Sequence, residues 1–250
     1  MSEFVYFGKS DVGLVRESNE DTFFVGQVWD KDCLLALVAD GVGGYSGGDV
    51  AASMARDSIY EYLSQNDKCG CLELLGRAVV YANNKIYEER QRSPKYAYMS
   101  CVLTAIIIDK SEGVLYMAHV GDTRLYRCFS GNLEKLSSDH SLVGYREEIG
   151  DLTEAEAMAH PMRNVISRDV GSKLLDFCTD YVELKSFPIQ NGTSFMLCSD
   201  GLCDMVVSES MRAVLSMEAS VEERVETMIE DAKNKGGKDN ITVVVVDLVS

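Results

Sequence analysis

Short apolar runs, rich in β-branched residues and bounded by turn-forming residues, recur along most of the chain. Such runs predict β-strands, here at Val5–Phe7, Thr22–Val28, Cys33–Ala39, Val102–Asp109, Val114–Val120, Arg124–Cys128, Tyr181–Phe187, Thr193–Cys198 and Ile241–Val249. Other stretches repeat apolar residues at helical spacing and predict helices at 46–64, near 72–90 and at 221–235. Several strands follow one another without a helix between them, which favours antiparallel pairing and an α+β domain over a doubly wound sheet.

The stretch at 137–180 differs from the rest of the chain because it is polar and has only weak helical signals. It predicts a mobile flap, at roughly 140–180, beside the functional site. No linker or internal repeat divides the 250 residues, which include only three prolines. This length suits one domain spanning 1–250.

Composition narrows the range of partners. The net charge of −16 and the lack of a basic cluster disfavour nucleic acid as a partner. Residues 1–10 lack the pattern of a signal peptide, and no apolar run is long enough for a membrane span. Most of the eight cysteines lie in apolar runs, as small, reduced apolar residues do. We therefore expect a cytoplasmic protein that binds neither nucleic acid nor membranes.

Carboxylates stand at the predicted ends of three strands. Two apolar runs end on Asp40-Gly41 and Asp200-Gly201, and a third begins directly after Asp239-Asn240. If these ends meet at one sheet edge, the clustered charges repel and favour a hard divalent cation such as Mg²⁺ or Mn²⁺. Each Asp-Gly pair taken alone is better explained as a turn. Glu20-Asp21, before another strand, adds acidic groups that turns do not explain.

The residues around these carboxylates form an ordered series of motifs. They are Asp11-x-Gly13-x-x-Arg16-x-x-Asn19-Glu20-Asp21, Ala39-Asp40-Gly41-Val42-Gly43-Gly44, Val120-Gly121-Asp122-Thr123-Arg124, Cys198-Ser199-Asp200-Gly201-Leu202-x-Asp204 and Gly236-Gly237-Lys238-Asp239-Asn240-Ile241-Thr242. Their order and spacing, from Gly8 to Val246, resemble the type 2C metal-dependent serine/threonine protein phosphatases in their bacterial catalytic-domain form.

The resemblance implies a fold and a metal centre. The fold is a four-layer α-β-β-α sandwich of two antiparallel sheets flanked by helices, and the cofactors are two Mn²⁺ or Mg²⁺ ions. The implied metal ligands are Asp40, which bridges both ions, the Gly41 carbonyl, Asp200 and Asp239, with Glu20 and Asp21 acting largely through bound water.

Arg16 is implied to bind the phosphate. A guanidinium offers planar, bidentate hydrogen bonding to phosphate oxygens, which lysine cannot reproduce. A surface salt bridge of Arg16 with Glu17 or Glu20 is the alternative interpretation of this residue.

A third, weaker cation is implied at Asp122 and Asp204. Asp122 has an alternative role, because it could pair with Arg124 or cap a turn. Some family members carry a histidine after the first Asp-Gly pair as general acid, but here that position is Val42. A metal-bound water, solvent or a flap group such as His160 must then protonate the leaving group.

The implied activity is hydrolysis of phosphoserine and phosphothreonine by direct attack of a metal-bridging hydroxide, with Arg16, Asp40 and Asp239 as catalytic residues. The expected partners are phosphorylated proteins made by a serine/threonine protein kinase, and the chain is expected to be a monomer. Two alternatives remain at this point. One is a phosphatase dedicated to a single signalling partner of the anti-sigma-factor antagonist type, and the other is a non-catalytic regulator that binds phosphoproteins.

Overall fold

The structure is a computed structural model, which describes residues 3–42, 47–177 and 180–249. Contacts between residues divide the chain into two compact units. The first unit comprises 1–19, 121–168 and 190–250, and the second comprises 20–120 and 169–189. The prediction of a single domain over 1–250 stays a prediction.

The first unit contains a five-stranded antiparallel sheet of order β1-β10-β9-β6-β7. Its strands are β1 (Glu3–Asp11), β6 (Arg124–Phe129), β7 (Asn132–Lys135), β9 (Ser194–Cys198) and β10 (Ile241–Val249). Its helices are α3 (Leu142–Glu148), α4 (Glu154–Met158), α5 (Asp200–Cys203), α6 (Ser208–Leu215) and α7 (Val221–Asn234). Alternate residues Val243 and Val245 of β10 join Val225 and Met228 of α7 in one buried core, because successive strand residues face opposite sides.

The second unit contains another five-stranded antiparallel sheet, of order β2-β3-β4-β5-β8. Its strands are β2 (Asp21–Val28), β3 (Asp30–Val42), β4 (Ser100–Asp109), β5 (Val114–Val120) and β8 (Glu183–Pro188). Its helices are α1 (Gly48–Gln65) and α2 (Cys71–Arg92), with a 3-10 turn at Pro94–Tyr96. One core joins apolar side chains of α1 and α2 to alternate residues of β3 and β4, including Ala39 and Cys101.

Most predicted elements are present with slightly different bounds, and two differences bear on the site. Strand β3 continues to Val42, so Asp40 and Gly41 lie within a strand and not at its end. The second difference is that Asp40, Asp200 and Asp239 do not belong to a single sheet. Asp40 belongs to the sheet of the second unit, whereas the other two flank β9 and β10 of the first. Pairing between segments that are distant in the chain decides which sheet a strand joins. A local apolar pattern carries no information about that pairing.

The polar stretch at 137–180 contains the short helices α3 and α4, in agreement with its weak helical signals. Its mobility stays a prediction. Strand β7 and helix α6 were not predicted from the sequence. Among the described residues, no helix is both long and apolar enough to cross a membrane.

Candidate functional site

Three acidic residues of the second unit lie side by side at the start of β2 and near the end of β3. Asp21 is directly opposite Asp40 in the antiparallel register of these strands. Side chains of directly opposed residues project from the same face of a sheet. The Gly41 N–H donates a hydrogen bond to the Glu20 carbonyl at 3.2 Å, which places Glu20 next to the same pair.

Gly41 permits a close approach of backbone segments within the second unit. A Cβ on Gly41 would lie 2.4 Å from the carbonyl carbon of Gly48, the first residue of α1. A Cβ on Gly48 would in turn lie 2.2 Å from Oε2 of Glu20. The glycine after Asp40 is therefore needed for packing within a continuous strand, and not for a turn. Gly43 and Gly44 of the same motif lie outside the described residues.

Asp200 and Asp239 are brought together within the first unit by the start of α5 and the start of β10. Strands β9 and β10 pair up to Cys198 and Val243, and Thr242 N–H donates to Ser199 Oγ at 3.0 Å. A Cβ on Gly201 would lie only 2.0 Å from the Asn240 carbonyl oxygen. The two Asp-containing turns are thus in direct backbone contact, and only glycine fits between them.

The loop that contains Arg16 packs against Asp239 and Asn240, just before β10. Gly13 has a φ of +78°, and a Cβ there would lie 2.2 Å from the Asp239 carbonyl oxygen. The Asn240 side-chain amide donates to the carbonyls of Val12 and Ser18, at 3.0 and 2.9 Å. From this loop the Arg16 guanidinium donates to Oδ2 of Asp239 at 2.7 Å, while 50% of its side chain remains exposed. The ion pair seen for Arg16 is therefore with a predicted metal ligand.

Asp122, Asp200 and Asp204 line one small cavity of about 30 Å³ in the first unit. Burial, followed by the nearby charge of Asp139, raises the pKa of Asp122 to about 7. Burial also raises the pKa of Asp204, although Arg163 opposes that shift by donating from Nε to Oδ2 at 2.7 Å. Burial is the main cause of both shifts, and the charges of neighbouring carboxylates add to it.

The geometry does not favour the alternative in which Asp122 pairs with Arg124. Arg124 donates through Nε and a terminal nitrogen to Asp139, at 2.9 and 2.7 Å, and approaches Glu147 at 3.4 Å. Its hydrogen bonds thus go to Asp139, Glu147 and the Tyr126 hydroxyl, and none of these is Asp122. No role was predicted for Arg163. Because 41 residues separate it from Asp204 in the chain, no local pattern could have revealed their contact.

The chemistry of these groups fits Mg²⁺ or Mn²⁺. The predicted ligands are carboxylates and one peptide carbonyl, which are the oxygen donors that hard divalent cations prefer. Clustered carboxylates with raised pKa values are relieved when a cation replaces their protons. Within each unit the predicted ligands are neighbours, and close backbone approaches at Gly41 and Gly201 hold them there.

Comparisons with known proteins identify the family to which the chain is similar. A family model described as protein phosphatase 2C matches residues 15–241. The serine/threonine phosphatase stp of Listeria welshimeri is 32% identical over 245 residues, covering 96% of this chain and 94% of its own length. The crystal structure of the Mycobacterium tuberculosis serine/threonine phosphatase PstP/Ppp superposes with a TM-score of 0.87 at 31% identity, covering 100% of both chains.

A crystal structure of the PstP catalytic domain in complex with two manganese ions is similar over 100% of both chains, with a TM-score of 0.85 and 30% identity. These similarities confirm the predicted α+β class of two antiparallel sheets flanked by helices. They also agree with the predicted dependence on metal ions. The chain therefore belongs to the protein phosphatase 2C family and is a metal-dependent serine/threonine protein phosphatase.

Proposed function

We propose that this phosphatase binds two Mn²⁺ or Mg²⁺ ions and that its own carboxylates are the ligands. The proposed direct ligands are Asp40, Asp200, Asp239 and the Gly41 carbonyl, with Glu20 and Asp21 acting largely through water. When bound, such ions lower the pKa of coordinated water and screen the charge of the phosphate dianion. All of these carboxylates are retained, which favours catalysis over the alternative of a non-catalytic phosphoprotein-binding regulator.

The observation that carries the proposal is the contact of Arg16 with Asp239 at 2.7 Å. The Arg16 side chain, half of it exposed, lies beside the carboxylate of a proposed metal ligand. We infer that Arg16 binds two phosphate oxygens in a bidentate manner, which orients the phosphoryl group next to Asp239. Arg16, Asp40 and Asp239 are therefore the proposed catalytic residues.

The proton for the leaving serine or threonine oxygen needs a separate source, because Val42 cannot donate one. We propose that Asp122 and Asp204 bind a third, weaker cation near the leaving group. His160 is the second candidate acid. Its Nδ1 accepts a hydrogen bond from the Met162 N–H at 3.1 Å, so Nε2 is the ring nitrogen that would face the leaving group as the proton donor.

The proposed substrates are cytoplasmic proteins phosphorylated by a serine/threonine protein kinase, acted on by a monomeric enzyme. The relatives that the chain resembles include proteins named as serine/threonine phosphatases. A phosphatase dedicated to one signalling partner is the second possibility within the same chemistry. Specificity of this kind depends on loops and surface residues and not on the metal ligands.

The test is phosphate release from a phosphothreonine peptide with and without chelator. Activity should disappear in EDTA and return with Mn²⁺, whereas Asp40→Asn and Asp239→Asn should each lose several orders of magnitude in kcat because a direct ligand is missing. Asp176→Asn, which removes an exposed carboxylate, is the matched control and should retain activity. Hydrolysis that survives EDTA would overturn the proposal.

A further inference from the structure

Within the stretch predicted as a flap, Val170 pairs with β4 of the second unit. Cys101 of β4 forms an isolated antiparallel bridge with Val170. The Cys101 N–H donates to the Val170 carbonyl at 3.1 Å, and the Val170 N–H donates to the Cys101 carbonyl at 2.7 Å. In an antiparallel pair the next residue of one strand opposes the preceding residue of the other. Continued by one residue beyond the bridge, this register sets Asp169 opposite Val102.

The face from which Asp169 projects follows from the alternation of side chains. Ala39, Cys101 and Val170 all belong to the apolar core formed with α1 and α2. Because successive strand residues point to opposite faces, Asp40 and Val102 project from the other face, and the extended register places Asp169 on that face with them.

Asp169 completes a row of acidic residues across the sheet. Asp40 is opposite Val102 in the β3–β4 register, and Asp21 is opposite Asp40 in the β2–β3 register. The row is therefore Asp21, Asp40, Val102 and Asp169, with all side chains on one face. Since neighbouring strands lie about 4.8 Å apart, the Cα atoms of Asp40 and Asp169 are about 10 Å apart.

The electrostatics of Cys101 agree with this proximity. Burial raises the pKa of the Cys101 thiol, and the charges of Asp169 and Asp40 raise it further. Both carboxylates are thus within electrostatic reach of the same sulfur atom. The Asp169 backbone N–H donates to the Tyr181 hydroxyl at 3.0 Å, which fixes the segment. Within the described part of the chain, the half-buried Asp169 carboxylate makes no hydrogen bond or ion pair.

We propose that Asp169 is a positioning residue of the metal centre, whose carboxylate accepts a hydrogen bond from a water molecule bound to the cation held by Asp40. This inference rests on the proposed function of Asp40. A separation of about 10 Å between Cα atoms leaves room for two side chains, a cation and one water, given metal–oxygen distances of about 2.1 Å and hydrogen bonds of about 2.8 Å. Small divalent cations retain several waters, and carboxylates that bind those waters strengthen metal binding.

The row of acidic residues also affects the stability of the metal-free protein. Asp21, Asp40 and Asp169 repel one another when no cation is bound, so removing one charge relieves repulsion. Asp169→Asn should therefore weaken Mn²⁺ binding without destabilising the chelated protein. A residue that only supports the fold would lower the stability of both forms.

The experiment is titration of the metal-free protein with Mn²⁺ by calorimetry, together with thermal unfolding in EDTA and in saturating Mn²⁺. Asp169→Asn should raise the Kd for Mn²⁺ about tenfold. Its Tm in EDTA should equal or exceed that of the unmodified protein, and the rise in Tm on adding Mn²⁺ should be smaller. Asp169→Glu, which keeps the charge, should recover part of the affinity. Asp176→Asn, an exposed carboxylate in the same chain segment, is the matched control and should bind Mn²⁺ normally.

An unchanged Kd, or an equal loss of Tm in EDTA and in Mn²⁺, would overturn the role of Asp169. Asp40→Asn, titrated in parallel, separates this failure from a failure of the proposed function. If Asp40→Asn loses Mn²⁺ binding while Asp169→Asn binds normally, only the role of Asp169 is wrong. If Asp40→Asn binds Mn²⁺ normally, both proposals are overturned.

Discussion

Gly201→Ala tests whether the close approach of Gly201 to Asn240 positions the carboxylates of the preceding residues, Asp200 and Asp239. The added Cβ would lie 2.0 Å from the Asn240 carbonyl oxygen, whereas real Cβ contacts below 3.0 Å are essentially absent. The start of α5 and the start of β10 must therefore separate by at least about 1 Å, because the atom in the way is backbone and cannot rotate aside. A misplacement of about 1 Å in catalytic groups costs roughly 100-fold in rate.

We expect kcat/KM for a phosphothreonine peptide to fall about 100-fold in Gly201→Ala, together with weaker Mn²⁺ binding by calorimetry. Overpacking of this kind costs about 2 kcal/mol of stability, equivalent to a Tm lower by about 4–8 °C. Circular dichroism below that Tm confirms that the variant is folded when its activity is measured.

Gly131→Ala is the matched control for this variant. A Cβ there meets nothing within 4 Å, although its φ of +76° is unfavourable for alanine. That backbone conformation costs about 1 kcal/mol, so Tm should fall slightly while activity and Mn²⁺ affinity stay normal. If Gly201→Ala kept more than a third of the activity with normal Mn²⁺ affinity, the contact would not be what positions the two carboxylates.

Three further predictions concern phosphate binding, the leaving group and stability. Arg16→Ala should lower kcat/KM for the phosphopeptide about 10–100-fold, since a charge-assisted pair contributes about 1.5–3 kcal/mol, and should leave the Mn²⁺ content unchanged; a lower metal content would mean that Arg16 supports the metal ligands instead. Asp122→Ala should reduce kcat strongly for a phosphoprotein, whose alkoxide leaving group needs a proton, and less for an aryl phosphate; equal losses would show that Asp122 only supports the fold. Burial alone would raise the pKa of Asp109, but the Lys68 ammonium, 2.7 Å away, and local hydrogen bonds hold that pKa below its usual value. The lowered pKa stabilises the fold above the unfolded carboxyl pKa of about 4, and this contribution is lost as the pH falls through the folded-state pKa. Lys68→Met should therefore cost about 3 kcal/mol at pH 7, by denaturant unfolding, and less at pH 4, where the unpaired Asp109 is protonated; an equal cost at both pH values would contradict this account.

The elements that could be predicted from the sequence are those whose apolar pattern is local. Strands β5 and β10 have the predicted bounds because most of their residues are apolar and the polar ones interrupt the run only singly. Strand β3 was predicted too short. Its pairing with β4 continues past Asp40 to Val42, although Asp40 and Gly41 interrupt the apolar run. Strand β7, Asn132–Lys135, has little apolar content and forms only because β6 lies beside it.

By itself, the sequence determined the residue types of the site and their neighbours. An aspartate followed by glycine at 40–41 and 200–201, and the order of the motifs, were enough to predict an oxygen-ligand metal site and the phosphatase family. Those features are local because a carboxylate and the glycine that permits close packing are adjacent in the chain.

Only the tertiary structure decided which of these groups are neighbours. The contact of Arg16 with Asp239 joins residues separated by 223 positions, and that of Arg163 with Asp204 spans 41. The position of Asp169 in the row with Asp40 depends on one pair of backbone hydrogen bonds between Cys101 and Val170. Register and long-range pairing are fixed by burial of one sheet face and by complete backbone hydrogen bonding, which involve the whole chain and therefore leave no signal in a short segment.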